Sequence, residues 1–286
     1  MRILIKNIFF VYSLTLILCL QTNLAQNNTT DSVSTDRLLI LGGISTGAFV
    51  YAYGIQNSMW WKGEKSTFHS NWKNDWNASL GADKIGHFYF GYMLSNLYNF
   101  GFQWAGYDIN KSLLYSGLVT FTYQTFLEIR DGFSKEYGFS WGDFGANTLG
   151  SFYPYLQNRY PILSNINFKI SFEASERFKN NSNEYILDDY ESTYHWLTFD
   201  ITKILPSSAN SIVPDFINLA VGHSVNGLSK NGKRNHEFFI GLDWDLEAIP
   251  TNIPILSKLL KAINLYHLPA PTIKIYPNIV WYGLKL

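Results

Sequence analysis

The segment IGHFYFGYMLSNLYNFGFQWAGY, residues 85–107, decides the fold class because it contains no Asp, Glu, Lys or Arg. Its polar side chains, among them His87, Asn96 and Gln103, are too numerous for a helix that lipid surrounds on every side. They suit a helix that is half buried in protein, or one that lies at a membrane interface. The segment therefore predicts a long helix of one of these two kinds.

Three further segments, residues 38–58, 112–127 and 144–158, also lack charge, and charged residues bound each of them. At about 1.5 Å per residue, residues 38–58 are long enough to cross the roughly 30 Å of a bilayer core. Together with residues 85–107 they predict four apolar helices packed as a small bundle.

After Tyr160 the pattern changes from helical to alternating. Apolar and polar residues alternate over residues 166–173 and again over 238–247, which is typical of half-buried antiparallel strands. Weaker alternation elsewhere predicts five or six strands in all. The expected fold is α+β, with a small apolar four-helix bundle over residues 37–160 and a mainly antiparallel β part over residues 161–286.

The amino terminus has the layout of a secretory signal peptide over residues 1–25, with a short basic start, an apolar run and a small residue at the cut. A polar leader, residues 26–36, follows and is expected to be flexible. The only cysteine, Cys19, follows Leu18 rather than a small residue, which argues against lipidation. We therefore expect an exported cell-envelope protein, in the outer membrane or periplasm rather than the inner membrane.

The composition favours a partner of low polarity. Charged residues make up 15% of the chain and aromatic residues 17%, whereas an average domain has about 25% charged residues. Few charges with many rings suit a membrane–water interface, so membrane lipid is the expected partner. The formal net charge is zero, which gives no indication of nucleic-acid binding.

The polar residues near the helix ends come in pairs spaced three or four apart, so each pair shares one helix face. The pairs are Asp83 with His87, Glu128 with Asp131, and Asp143 with Asn147. One interpretation is structural, because a charge among apolar helices costs several kcal/mol unless it is paired. In that interpretation Lys84 neutralises a carboxylate, Asp143 caps the fourth helix, and Asn147 bonds a carbonyl across the interface.

The other interpretation is functional. The candidate catalytic residues are His87, Glu128, Asp131 and Asp143, acting as general acids and bases. The candidate binding residues are Asp83, Lys84, Ser134, Ser140 and Asn147. A divalent metal held by mixed nitrogen and oxygen ligands is an alternative, but no pair of histidines has a metal-binding spacing, so no cofactor is expected. The remaining histidines are expected to be packed or surface residues.

Three motifs resemble those of the YfiM-like family, a predicted periplasmic lipoprotein family and domain of unknown function (number 2279). They are DKIGHF (83–88), EIRDGFS (128–134) and GFSWGDFGANTLG (138–150), and the likeness extends over about residues 60–157. The first and last motifs are also similar, more weakly, to VanZ-like membrane proteins. The resemblance implies an envelope protein of apolar helices and supplies no reaction. The link of VanZ-like proteins to glycopeptide tolerance suggests envelope glycolipid or peptidoglycan as a partner, by analogy only.

From the sequence we expect an uncharacterised envelope protein that is a membrane-associated binding or scaffold module, with its polar cluster between helices. The alternative is an envelope hydrolase or transferase that acts on a lipid-linked or cell-wall substrate.

Overall fold

A computed structural model describes residues 33–72, 75–77, 79–180, 186, 189–204, 214–228 and 233–286. The predicted signal peptide and most of the predicted leader lie outside the described residues. Within them the chain forms seven α-helices and a six-stranded sheet. The predicted mixture of helices and antiparallel sheet is confirmed, while a bundle of exactly four helices stays a prediction.

The chain divides into two compact units. Unit 1 contains the described residues up to Asp75 together with Phe90–Tyr155, and unit 2 contains Trp76–Tyr89 together with Leu156–Leu286. The boundaries predicted from the sequence remain predictions.

The four long helices match the four uncharged segments closely. They are α1 (Thr35–Met59), α2 (Ala82–Trp104), α3 (Ile109–Gly132) and α4 (Trp141–Arg159). Polar caps mark where two of them begin: Ser34 accepts a hydrogen bond from the backbone N–H of Arg37, and Asp108 accepts from two backbone N–H groups of α3. α2 belongs to both units, because its residues up to Tyr89 are part of unit 2 and those from Phe90 onwards are part of unit 1.

Small residues let the helices of unit 1 approach closely. A Cβ on Gly101 would lie 2.7 Å from the Leu41 side chain, and one on Gly117 would lie 2.7 Å from the ring of Phe152. Such distances leave no room for a side chain, so α1 packs directly on α2, and α3 packs directly on α4.

α1 is the one helix among the described residues that is long and apolar enough to cross a membrane. Only 6% of its most apolar stretch is buried. A signal sequence or the core helix of a soluble protein would pass the same test of length and composition, so this helix alone is weak evidence for a membrane protein.

The polarity of α3 is reversed from that of a helix in a soluble protein. Every fourth residue on its buried side is polar, and each of these is at most 1% exposed: Ser112, Ser116, Thr120, Gln124 and Glu128. The opposite side exposes large apolar side chains: Leu114, Tyr115, Leu118, Val119 and Ile129. A helix that packs against a soluble core turns its apolar side inwards.

Unit 2 is built on a six-stranded antiparallel meander in which each strand pairs with the next along the chain. The strands are β1 (Ile166–Phe172), β2 (Thr193–Asp200), β3 (Ile217–Asn226), β4 (Asn235–Trp244), β5 (Ala270–Tyr276) and β6 (Val280–Lys285). Three shorter helices accompany them: α5 (Glu176–Lys179), α6 (Ile201–Ile204) and α7 (Pro254–Ile263). The prediction of five or six antiparallel strands is confirmed.

The buried face of the sheet is the more polar of its two faces. Half-buried antiparallel strands usually bury their apolar side chains instead. In β1 the buried residues are Lys169 and Ser171, while the apolar residues between them are only partly buried. The Lys169 ammonium lies 2.6 Å from a carboxylate oxygen of Asp243 and donates to Asn264 Oδ1 and to the carbonyl oxygen of Trp244. The ion pair with Asp243 and the two hydrogen bonds offset the free-energy cost of burying the Lys169 ammonium.

Candidate functional site

The candidate site lies at the carboxyl-terminal end of α3, where the buried polar side chains of that helix end at Glu128. This side chain is 1% exposed, and its Oε1 accepts a hydrogen bond of 3.1 Å from the side-chain amide of Asn147 in α4. One turn earlier, Gln124 donates to the carbonyl oxygen of Asn147 and to the hydroxyl of Ser151. Glu128 is therefore held within a continuous polar contact between α3 and α4.

Burial and neighbouring charge keep Glu128 protonated. Loss of water raises the pKa of Glu128 to about 9, and repulsion by Asp143 and Asp131 adds to this effect. Hydrogen bonds from the backbone of Ser140 and from Asn147 act in the opposite direction but are weaker. At neutral pH the Glu128 side chain is thus a neutral acid that can donate a hydrogen bond.

Asp143 lies beside it in the first turn of α4. One of its carboxylate oxygens lies within 4.8 Å of a carboxyl oxygen of Glu128. The prediction that Asp143 caps α4 is wrong, because the hydroxyl of Ser140 accepts the hydrogen bond from the backbone N–H of Asp143. Ser140 has the better position for this, three residues earlier and outside the helix.

Ser140 also connects the site to the aromatic segment that precedes α2. Its hydroxyl donates to a carboxylate oxygen of Asp75, and both residues are buried. The indole N–H of Trp61 donates to Asp131 at 2.6 Å. The carboxylates of Asp75 and Asp131 thus each accept a hydrogen bond from a residue more than 60 positions away in the chain.

The loop from Asp131 to Ser140 has a defined conformation. The carbonyl oxygen of Asp131 accepts backbone hydrogen bonds from Ser134 and Gly138. Residues of the segment before α2 form isolated bridges with the loop, Lys65 with Ser134 and Ser70 with Phe139. Backbone contacts thus hold the loop at Ser134 and at Phe139, close to its two ends.

Two exposed tryptophans lie near the acidic residues in the sequence. Trp141 is 53% exposed and Trp72 is 74% exposed, and their ring centroids are 6.5 Å apart. Trp141 directly follows Ser140 and precedes Asp143 by two positions. An aromatic surface of this kind beside carboxylates can bind a ligand that has both apolar faces and hydroxyl groups.

Asp83, Lys84 and His87 lie in the part of α2 that belongs to unit 2. The Lys84 ammonium is 2.9 Å from the Asp83 carboxylate, so Lys84 does neutralise a carboxylate, as one interpretation of the sequence expected. His87 lies one helical turn before Gly91 on the same face of α2. In unit 1 a Cβ on Gly91 would meet the amide of Gln124 at 2.6 Å and the backbone of Ser151 at 3.0 Å. A shared role of His87 with the carboxylates stays a prediction.

Of the predicted residues, unit 1 brings together Glu128, Asp131, Asp143, Asn147 and Ser140. The side-chain amide of Asn147 donates to a carboxyl oxygen of Glu128, and the predicted bond to a carbonyl across the interface stays a prediction. Ser134 is buried and accepts from the backbone N–H of Glu136, which gives it a role within the loop.

Sequence reasoning missed Asp75, Trp61 and Gln124. The spacing of four from Ser112 to Glu128 could have revealed Gln124. No local pattern could have revealed the other two, because they reach the site from a distant segment.

The geometry defines the class of this protein as a helical domain with a buried acidic site, followed by an antiparallel sheet. Residues 70–159 match the family model described as a predicted periplasmic lipoprotein (DUF2279). This match covers just under a third of the chain, contains the site residues from Asp75 to Asn147, and confirms the resemblance to that family. The likeness to VanZ-like proteins stays an expectation.

No curated protein and no solved structure matches the chain. The family description implies an exported, envelope-associated protein of unknown function, in agreement with the expected localisation. It does not distinguish the outer membrane from the inner membrane.

Proposed function

We propose that this protein is a membrane-associated binding module, in which the helices of unit 1 lie against lipid and the acidic site holds the glycan head group of an envelope glycolipid. The observation that carries the proposal is the reversed polarity of α3, which buries Gln124 and Glu128 while exposing Leu118 and Val119. Exposed apolar surface with a polar interior suits contact with acyl chains rather than with water.

Other helices of unit 1 support the same proposal. α1 exposes Leu39 and Val50, and α4 exposes Leu149, all by more than half of their surface. Covering each such side chain with lipid would contribute about 1.5–3 kcal/mol. Several together are sufficient for stable membrane attachment.

Membrane extraction tests the attachment. Membranes carrying the full chain are washed with alkaline carbonate, and we expect the wild type to stay in the pellet until detergent is added. The double variant Leu114→Asp/Leu118→Asp should move to the wash, because a charge facing lipid costs about 2.5–3.5 kcal/mol at the centre of a helix. Ile162→Asp, at a position 73% exposed outside the helices, is the control and should behave as wild type. A wild type that carbonate extracts contradicts the proposal.

The head group is assigned from the chemistry of the site. Carboxylates at Asp143 and Asp131 can accept hydrogen bonds from hydroxyl groups. The rings of Trp72 and Trp141 offer an exposed surface for the apolar face of a sugar. A glycan presented at the membrane surface meets both requirements.

A synthetic lipid carrying an N-acetylglucosamine disaccharide serves as the probe, with the same lipid without sugar as the reference. We expect Trp72→Ala to weaken binding about tenfold, since stacking on one ring contributes about 1 kcal/mol or more. Trp281→Ala, at an equally exposed ring in unit 2, should leave binding unchanged. Equal binding by both variants, or equal binding of both lipids, contradicts the assignment.

The alternative is an envelope hydrolase or transferase, and the proximity of the protonated Glu128 to a second acid favours it. Glu128 holds its proton at neutral pH, whereas Asp143, within 4.8 Å, contributes negative charge. Such a pair can act as general acid and general base, and His87 is the candidate third group. In an enzyme, Glu128→Gln abolishes turnover of the glycan lipid while preserving its binding. In a binding module, no turnover is seen in either protein.

A further inference from the structure

Three histidines lie side by side on one face of the sheet in unit 2. His195 of β2 is paired directly with His223 of β3. His236 of β4 is paired with Val225, two positions along β3 from His223 and therefore on the same face. Most other pairs of this face are apolar, such as Leu197 with Val221. Three adjacent imidazoles interrupt a mostly apolar surface.

The three rings have few hydrogen bonds for their number of nitrogens. His223 Nε2 lies 3.1 Å from His236 Nδ1. Both ring nitrogens of His195 and the Nδ1 of His223 are buried without a hydrogen-bond partner among the described residues. His195 is only 6% exposed, so water does not readily replace the missing partner. A buried polar atom in this state costs about 1–3 kcal/mol.

Burial keeps two of these imidazoles, His195 and His223, neutral. Burial lowers the pKa of His195 to about 3, and burial with the neighbouring His236 lowers the pKa of His223 to about 4. A neutral imidazole has a free lone pair on one nitrogen, which is the form that coordinates metal ions. The unsatisfied nitrogens are thus in the state that a ligand of Zn²⁺ or Cu²⁺ requires.

We propose that His195, His223 and His236 form a binding site for a divalent transition-metal ion of the class that prefers imidazole, Zn²⁺ or Cu²⁺. Two imidazole nitrogens bound at about 2.0–2.1 Å in tetrahedral geometry lie roughly 3.3 Å apart. The His223 and His236 nitrogens are already at 3.1 Å. The metal takes the place of the hydrogen bond between them.

His195 supplies the third ligand. Its ring centroid is 6.4 Å from that of His223, and the two rings are inclined by 25°. For one of its nitrogens to reach an ion held by His223 and His236, the side chain of His195 has to rotate. Gly86 of α2 covers the ring, since a Cβ there would be 3.9 Å from His195 Nε2. Three protein ligands leave a fourth position for water or an outside ligand.

Zn²⁺ and Cu²⁺ share the imidazole ligand, and Cu²⁺ binds more tightly to most nitrogen sites. The coordination geometry distinguishes them, because Zn²⁺ accepts a tetrahedral arrangement and Cu²⁺ prefers a square-planar one. The antiparallel strands present the three rings from one side, which suits a tetrahedral site with an open position. Zn²⁺ is therefore the expected occupant.

Metal binding to the full chain tests the site. The protein, without a histidine tag, is treated with EDTA in detergent and dialysed against Zn²⁺ alone or Cu²⁺ alone, and bound metal is counted by mass spectrometry. We expect one ion per chain and a melting temperature that rises with metal. The double variant His223→Asn/His236→Asn should lose at least about a hundredfold in affinity, because even partners that only orient ligands contribute 10–100-fold.

Two control variants locate the ion. His69→Asn removes a histidine of unit 1 and should bind as wild type. Glu128→Gln alters the carboxylate site, so loss of metal there and not in the histidine variant would overturn the proposal and place the ion at the carboxylates. Absence of binding to the wild type, or unchanged binding to the double variant, overturns it as well.

A second variant and a spectrum keep the test independent of folding. If the double variant does not fold by circular dichroism, His236→Gln is used, because His236 is partly exposed near the start of its strand. Electron paramagnetic resonance of the Cu²⁺ form should show coupling to three nitrogens in wild type and to two in this variant. Spectra with no nitrogen coupling would contradict the proposal.

Discussion

The replacement Glu128→Gln should stabilise this protein at neutral pH. The folded protein holds the Glu128 proton up to about pH 9, whereas an unfolded chain releases it near the ordinary value of 4.5. Unfolding at pH 7 therefore releases a proton, and the free energy of unfolding falls as the pH rises from 4.5 to 9. Glutamine has no proton to release and can still accept the hydrogen bond from Asn147.

The magnitude follows from the pKa difference. Each pKa unit corresponds to about 1.4 kcal/mol, and pH 7 lies two and a half units above 4.5, so the variant should gain up to about 3.5 kcal/mol at pH 7. At pH 4 both chains are protonated at this position, and the gain should disappear. The low exposure of Glu128, 1%, means that solvent screening reduces this value little.

The assay is denaturation in mild detergent at pH 4, 5.5, 7 and 8, followed by far-ultraviolet circular dichroism. Glu136→Gln, at an exposed carboxylate of the neighbouring loop, is the control and should show a small effect at every pH. A stability difference for Glu128→Gln that does not change between pH 4 and pH 8 would refute the reasoning.

Two further substitutions test the polar contacts that hold each unit together. Asn147→Ala removes the amide that bonds Glu128 in a fully buried position, and we expect a loss of about 1–3 kcal/mol in thermal or chemical denaturation. Lys169→Met leaves the Asp243 carboxylate without its ammonium partner, and we expect a loss of about 3–5 kcal/mol or failure to fold.

Matched controls exist for both. Thr148→Ala, one residue along α4, removes only a bond to the helix backbone and should cost much less than Asn147→Ala. Lys179→Met changes an ammonium that is mostly exposed and should have little effect. If either control costs as much as its test substitution, the buried contact is not the cause of the loss.

The sequence predicted the long helices and most strands because their signals are local. Uncharged runs bounded by charge, and alternation with a period of two, depend only on neighbours along the chain. The boundaries therefore agree with the structure to within a few residues, as for residues 85–107 and α2. The same local spacing correctly grouped Asp143 with Asn147, and Glu128 with Asp131, on single helix faces.

The partners of those residues could not be predicted in the same way. The contact of Trp61 with Asp131 and the contact of Asp75 with Ser140 join segments that are far apart in sequence, and no periodic pattern records such a contact. The capping of α4 shows a related error. Both Ser140 and Asp143 are good capping residues by type, and only the position of the first helical turn decides between them.

What the sequence by itself determined is the order and type of the elements, and the chemical identity of the polar cluster. What only the tertiary structure decided is which face of each element is buried. The buried faces of α3 and β1 are polar, because Glu128 finds Asn147 and Lys169 finds Asp243 once distant elements come together. Polar burial depends on such partners, and partners are a property of three-dimensional packing rather than of local sequence.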